Sequence, residues 1–187
     1  MSRKVFVVIL VCFIFGMQGL FAQEAFTWHL ALVKDDQGIS FDKTVNMKNG
    51  ESFSIDLYTE NDCYAYLIVE QASGALAPLL YSPIRAGTSK SVKCTLSPPA
   101  GQEKFYIVTS SIEQKELLNA IEAYNKDKSA RNALILKNVL FEVRESKDEI
   151  PGRPVSIGGS VRGEDKIIQG TEFSGEAAYT RTIVISH

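Results

Sequence analysis

Residues 45–69 read VNMKNGESFSIDLYTENDCYAYLIV, and this stretch decides the fold class. Apolar and polar residues alternate from Phe53 to Leu57, which is the period of two of a half-buried β-strand. Asn49-Gly50 precedes that segment, and because both residues tolerate positive φ, the pair predicts a hairpin turn between two strands. Residues 63–69 are apolar on both faces, which indicates a central strand that is covered on both sides.

The pattern of short strands continues on both sides of this stretch. Apolar residues from Phe26 to Leu32 alternate before it, and residues 35–38 have turn composition. Further strands are predicted at Leu76–Tyr81, Ser91–Leu96, Lys104–Thr109, Val155–Val161 and Ala177–Ser186, with a loop at Gly163–Gly175.

The hydrophobic period changes to that of a helix in the third quarter of the chain. Leu117, Ile121 and Tyr124 recur at helical spacing, and a second apolar stripe runs from Ala133 to Val143. These stripes predict two helices, at about residues 112–125 and 130–144, that pack on the sheets through their apolar faces.

The start of the first helix carries the spacing of a capping box, with Ser111 as N-cap and Gln114 three residues later. Together the patterns predict a mainly β fold, an antiparallel β-sandwich with a two-helix insertion before the last strands. A single domain is expected over residues 23–187, because no linker divides the chain.

The N-terminus has the order of a secretory signal peptide. Arg3 and Lys4 precede an unbroken apolar run at residues 5–15, and Ala22 offers a small residue for cleavage. The run is shorter than the roughly 20 residues that a transmembrane helix needs. We therefore expect a cleaved signal peptide at residues 1–22, with an uncleaved anchor as the alternative, and a mature protein outside the cytoplasm.

Charge gives no indication of a nucleic-acid surface. The formal net charge is −2, and the 20 Lys and Arg residues are scattered along the chain. A nucleic-acid-binding domain is typically basic, with its cations clustered on one face.

Several short motifs together resemble the bacterial domain of unknown function 4384, which occurs in exported and envelope-associated proteins. They are Lys48-Asn49-Gly50-Glu51, Asn61-Asp62-Cys63-Tyr64-Ala65-Tyr66-Leu67, Ser73-Gly74-Ala75-Leu76, Leu79-Leu80-Tyr81-Ser82-Pro83, Pro99-Ala100-Gly101-Gln102-Glu103 and Phe105-Tyr106-Ile107-Val108-Thr109-Ser110. The resemblance covers about residues 45–111 and implies an immunoglobulin-like sandwich. It implies no catalytic residues.

Candidate catalytic groups are few. His29 is the sole internal histidine, so a Ser–His or Cys–His pair has one possible base, and a His-rich metal site cannot be assembled. Ser40-Phe41-Asp42-Lys43 matches the Ser-x-x-Lys nucleophile motif, but it lies in strand-and-turn sequence without the companion motifs, so we interpret it as chance. We expect no cofactor and no metal.

Two cysteines follow the expected signal peptide. Cys63 and Cys94 both alternate in phase with apolar neighbours, so both are expected to point into the core. In an oxidising compartment two inward cysteines on facing strands can form a disulfide. A Cys63–Cys94 disulfide is therefore one expectation, and two separate buried thiols are the other.

These observations favour a non-catalytic module of the periplasm or outer envelope that binds another protein or an envelope component. The first alternative is a peptidoglycan or peptide hydrolase with an unrecognised Ser or Cys nucleophile, and the second is a structural subunit. Exposed helix residues such as Lys115, Glu122 and Lys137 are a candidate docking surface.

Overall fold

The computed structural model describes residues 26–145, 152–161, 164–175 and 178–187. The predicted signal peptide at residues 1–22 lies outside the described residues. The strands are β1 (Phe26–Lys34), β2 (Gln37–Ile39), β3 (Val45–Asn46), β4 (Ser52–Thr59), β5 (Cys63–Glu70), β6 (Leu76–Ile84), β7 (Thr88–Thr95), β8 (Gln102–Ser110), β9 (Arg153–Val161), β10 (Glu164–Gly175) and β11 (Ala178–Ser186). The helices are α1 (Lys115–Lys126) and α2 (Ala130–Glu145).

The strands form two sheets. The front sheet has the order β7-β4-β1-β10-β9, and β2 pairs with β1 beside β10. The back sheet has the order β3-β11-β8-β5-β6. Among the described strands, every pair is antiparallel except β3 with β11, which is parallel. The predicted β-sandwich with a two-helix insertion is confirmed.

The main core lies between the two sheets. Alternate residues of β1, from Phe26 to Leu32, point into it, and so do Phe53, Phe105 and Tyr179 from other strands. The Phe53 and Phe105 rings meet edge to face across the sandwich, with centroids 5.5 Å apart. Each large apolar side chain buried in this way stabilises the fold by roughly 1.5–3 kcal/mol.

A second core joins the helices to the outer face of the back sheet. β5 and β8 contribute outward-facing residues such as Tyr66, Ile68 and Val108, because both strands are apolar on both faces. α1 covers them with Leu117, Ala120, Ile121 and Tyr124, and α2 with Leu136 and Leu140. The two predicted helices are therefore confirmed in position and role. Within the described residues, neither helix is long and apolar enough to cross a membrane.

The predicted capping box is wrong. α1 begins after Gln114, which is itself the N-cap residue and makes no side-chain capping bond. The Gln114 amide instead donates to the Ser110 hydroxyl, and its backbone N–H donates to the hydroxyl of Tyr66 in β5. Gln114 is therefore held by bonds to the back sheet, and its side chain does not cap α1.

The Asn49-Gly50 turn does not form the predicted hairpin. Gly50 has the expected positive φ of 85°, but β3 pairs with β11 in the back sheet while β4 pairs with β1 in the front sheet. The turn therefore carries the chain from one sheet to the other. The two-residue turn between β1 and β2 is a hairpin instead, and Asp35 and Asp36 both have positive φ there.

The predicted loop at Gly163–Gly175 is wrong, because residues 164–175 form β10. This segment is rich in Gly and acidic residues, which are depleted in strands, so its sequence gave no clear strand signal. Backbone pairing with neighbouring strands holds this segment extended, because β10 pairs with β9 along one edge and with β1 along the other. Phe173 of β10 stacks on Trp28 of β1 with centroids 4.6 Å apart.

Candidate functional site

A cleft opens in the front sheet where two strands share one edge of β1. β10 pairs with the first half of β1, as far as Leu30 opposite Thr171. β2 pairs with the second half, beginning with Leu32 opposite Ile39. Both strands run antiparallel to β1, so a straight continuation of β2 would collide with β10. The chain therefore leaves the sheet after Ile39, and the two strands part at this point.

The cleft between the parting strands has a volume of about 400 Å³. One wall is the end of β2 and the segment that leaves it, and the other is the start of β9 and the adjoining part of β10. The lining residues are Ile39, Ser40, Phe41, Asp42, Pro154, Val155, Gly170 and Thr171. A concave, partly apolar site with a few convergent polar groups is the usual form of a ligand site.

Asp42 is the one ionisable residue among those that line the cleft, and its side chain is 75% exposed. The Ser40 hydroxyl donates to Asp42 Oδ2 at 3.3 Å. The Arg181 guanidinium donates to Asp42 Oδ1, also at 3.3 Å. The carboxylate is thus held at the rim of the cleft while most of it faces solvent.

Arg181 comes from the back sheet and points between the sheets, in phase with the core residues Tyr179 and Ile183. Its guanidinium lies 5.7 Å from the Phe41 ring centroid and 6.0 Å from that of Phe173. Cation–π contacts of this kind help to offset the desolvation of a partly buried arginine. Arg181 Nε is buried without a hydrogen-bond partner among the described residues.

Sequence reasoning missed Asp42 and Arg181 as site residues. The signal for Arg181 was present, because it is a charged residue in the apolar phase of the last strand. Asp42 carried no comparable signal, since its place depends on the parting of β2 and β10. The hydrogen bond that joins Arg181 to Asp42 links residues 139 positions apart in the chain.

His29 lies on the other face of the front sheet. Side chains alternate along a strand, so His29 points away from the core that Trp28 and Leu30 enter. Its Nε2 lies 3.4 Å from Glu60 Oε1, and its Nδ1 lies 4.0 Å from Glu172 Oε2. Thr171 of the cleft is in phase with the core residue Phe173, so it points to the opposite side of the sheet from His29.

His29 belongs to a polar row that crosses the front sheet. Glu172 and Tyr58 are its direct cross-strand neighbours, and the Arg153 guanidinium donates to Glu172 Oε1 at 2.7 Å. The Tyr58 ring lies 5.3 Å from the imidazole. Only 8% of His29 is exposed, and of its two ring nitrogens Nε2 is within hydrogen-bond distance of a carboxylate, that of Glu60.

The Ser-x-x-Lys segment does not form the helical turn that its chemistry requires. Residues 40–43 are irregular and bent, so Lys43 is not brought back over Ser40 as in a helix. The Ser40 hydroxyl is bound instead to Asp42, within its own bend. The interpretation of this motif as chance is consistent with that geometry.

The predicted Cys63–Cys94 disulfide is not formed, and both residues are free thiols. Both point inward as expected, since Cys63 lies in the main core and Cys94 packs against it. Cys94 pairs with Phe53 at one end of β4, whereas Cys63 follows Thr59 at the other end. Six residues of strand separate these ends by roughly 20 Å, while a disulfide needs Cα atoms within about 7 Å.

The helix residues predicted as a docking surface differ in their surroundings. Lys115 and Glu122 are exposed on α1. Lys137 on α2 instead forms an ion pair with Glu70 of β5, with Nζ and Oε1 2.6 Å apart. Lys137 therefore fastens α2 to the sheet.

Among the described residues, no three His, Cys, Asp or Glu side chains are grouped so that they could hold a metal ion. The chain matches no family model, and no curated protein is similar enough to count as a relative. The cleft beside Asp42 is chosen as the candidate site for its concave shape and its mixed apolar and polar lining.

Proposed function

We propose that this protein is a non-catalytic module that works outside the cytoplasm and binds a segment of another envelope protein. The observation that carries the proposal is the cleft between β2 and β10, with Asp42 at its rim. We assign the cleft to an extended peptide segment, because its two walls are formed by diverging strands and it is open to solvent.

The chemistry of the lining suggests what such a segment contains. Ile39, Phe41 and Val155 provide apolar surface. The Asp42 carboxylate is ion-paired with Arg181 through Oδ1, yet it is 75% exposed and can accept a second cationic donor from solvent. A segment with an apolar side chain beside a lysine or arginine complements both features. Charge complementarity of this kind chiefly sets specificity and association rate.

The position of His29 supports binding over hydrolysis. A general base must lie within hydrogen-bond reach of the proton that it removes. His29 is on the opposite face of the front sheet from Thr171, and its near polar neighbours are the carboxylates of Glu60 and Glu172. The hydroxyl groups of the cleft are therefore not paired with the one internal histidine.

Affinity capture from the native cell envelope tests the proposal, with the wild-type chain and Asp42→Asn as baits. Removal of the charge should reduce capture of the same envelope protein by roughly tenfold, as loss of a charged contact at a binding site commonly does. Glu122→Gln is the matched control, because it removes one exposed carboxylate on α1. Circular dichroism verifies that both variants are folded.

The opposite pattern of results would show that the cleft is not the binding site. If Glu122→Gln abolished capture and Asp42→Asn did not, the partner would bind the helices. If neither variant changed capture, the charged rim of the cleft would have no part in binding.

A further inference from the structure

α2 has an exposed apolar face in addition to its buried one. Leu134 is 60% exposed and Phe141 is 55% exposed, although both are large apolar side chains on a regular helix. At about 100° per residue, these two lie on one side of the helix, opposite the buried residues Leu136 and Leu140. Exposed apolar side chains that are grouped on one face of an ordered helix make that face a candidate interface.

Three charged or polar residues and the two apolar residues of this face are regularly spaced along α2. Arg131, Leu134, Asn138, Phe141 and Glu145 follow one another at intervals of 3, 4, 3 and 4 residues. This is the spacing of the contact line of a coiled coil. All five are exposed, and within the described residues Arg131 and Glu145 form no ion pair. We call these five residues the α2 seam.

The opposite side of α2 is fixed to the sandwich, so the α2 seam faces outward. Lys137 is bound to Glu70, and the Arg144 guanidinium lies 4.7 Å from the centroid of the Tyr106 ring. Leu136 and Leu140 are buried beneath the helix. The seam is therefore held as a rigid ridge.

We propose that the α2 seam binds a second copy of this chain, with the two α2 helices antiparallel about a two-fold axis at Asn138. The seam is complementary to itself in this orientation, because it has a cation at one end and an anion at the other. Arg131 of one copy meets Glu145 of the other, and Leu134 meets Phe141. A two-fold interface requires that each such contact occur twice.

The charges also decide the direction of pairing. A parallel pair would place Arg131 beside its own copy and Glu145 beside its own copy, so like charges would meet at both ends. Glu142 lies exposed next to the acidic end and strengthens that difference. Asn138 meets its own copy at the centre, where a polar residue on the contact line fixes the register of a helix pair.

The dimer should be weak. α2 has 16 residues, so the helix pair is about 24 Å long. Such a contact buries less than the roughly 1,200–2,000 Å² of a standard stable interface. The proposal is independent of the cleft, which lies on the front sheet.

Sedimentation equilibrium of the full chain, from micromolar to millimolar concentration, tests the charge pairing. Arg131→Glu and Glu145→Arg should each weaken the dimer by roughly tenfold, because each turns two ion pairs into two like-charge contacts. The double variant Arg131→Glu/Glu145→Arg should return to within about threefold of wild type, because the swap restores both pairs. Comparison within this set controls for association through other parts of the chain.

A cysteine on the two-fold axis gives a second test. Asn138→Cys should form an intermolecular disulfide under mild oxidation, whereas Lys126→Cys on the exposed end of α1 should not exceed wild type. A wild-type chain that is monomeric at every concentration would overturn the proposal. So would a double variant that dimerises no better than the single variants, or an Asn138→Cys chain that crosslinks no more than the control.

Discussion

The thiols of Cys63 and Cys94 are shielded by the sandwich. Burial raises the pKa of the Cys63 thiol, and burial together with the nearby Glu103 raises the pKa of Cys94 to about 11. Because the thiolate is the reactive form, a pKa near 11 leaves roughly one Cys94 in a thousand reactive at pH 8. We predict slow labelling of both residues in the native protein.

In the denatured protein, without reductant, both thiols should react rapidly with the labelling reagent. Mass spectrometry of labelled peptides reports each cysteine separately, which also distinguishes them from Cys12 near the N-terminus. A peptide pair linked through Cys63 and Cys94 would contradict the separation of the two residues along β4.

His29 is predicted to be a stabilising residue and not a catalytic one. His29→Ala removes a buried ring from between Glu172 and Tyr58, so we expect a loss of about 1–3 kcal/mol in the free energy of unfolding. If the proposed binding function is right, capture of the partner should persist at temperatures where the variant is folded. Urea unfolding followed by Trp28 fluorescence measures the first effect.

Loss of a hydrolytic activity in His29→Ala, with circular dichroism unchanged, would instead support the hydrolase alternative. Tyr58→Leu is a useful comparison, because it alters the same polar row without removing the imidazole.

At the scale of elements, Glu70 connects α2 to the back sheet. Burial raises the pKa of its carboxyl, but the hydrogen bonds from Lys137 and Tyr106 outweigh burial, and the pKa lies below its ordinary value of 4.5. Burial and the bond to Glu70 raise the pKa of Tyr106 to about 12. Lys104 of β8 also lowers the pKa of Glu70.

The sign of the pH effect follows from the lowered pKa of Glu70. The ionised carboxylate stabilises the docked helix fully above pH 4.5, and that contribution is lost as pH falls through the lower pKa of the folded state. We predict that acid titration releases α2 at a higher pH than it unfolds the sandwich. Circular dichroism at 222 nm follows the helices, and the fluorescence of the single tryptophan, Trp28, follows the main core.

Glu70→Gln should weaken the docking of α2 at neutral pH and flatten its acid dependence. Coincident helix and core transitions in the wild-type protein would contradict a separate contribution from Glu70.

Most elements could be predicted from sequence because their burial is periodic. The segments around Phe53, Cys63 and Leu117 each have a clear hydrophobic period, so the local sequence is enough to predict whether they form a strand or a helix. β10 could not be predicted in this way, because distant strands hold it in place. In the Asn49-Gly50 turn only Gly50 has positive φ, and the strand that follows joins the other sheet. Local turn chemistry does not decide which sheet the next strand joins.

The candidate site was harder to predict than the fold. The cleft arises where β2 and β10 compete for the edge of β1, and no single segment encodes that competition. The cysteines show the same limit: their inward direction followed from alternation, but their separation depended on which ends of β4 they adjoin.

For the whole molecule, β11 closes the back sheet and completes the core. It lies between β3 and β8 and contributes Tyr179, Ile183 and Ile185. A chain that stops after Gly175 is predicted to lose cooperative unfolding, because these buried side chains together contribute several kcal/mol, at roughly 1.5–3 kcal/mol each. Thermal unfolding followed by Trp28 fluorescence measures this.

A synthetic peptide of residues 176–187, added to the truncated chain, should restore the transition by pairing with β8. A truncated chain that already unfolds cooperatively at the wild-type temperature would show that β11 is dispensable.

The edge of β1 that β2 and β10 share also constrains the order of assembly. Phe26 pairs with Gly175, so the first described strand receives one of its partners from near the end of the chain. A nascent polypeptide that emerges N-terminus first can form the β1–β2 hairpin and the β1–β4 pair early. The β1–β10 pair can form only after β10 has been synthesised, and until then half of one β1 edge is unpaired. During synthesis this half-edge exposes unpaired backbone N–H and C=O groups, which are a template for pairing with another chain.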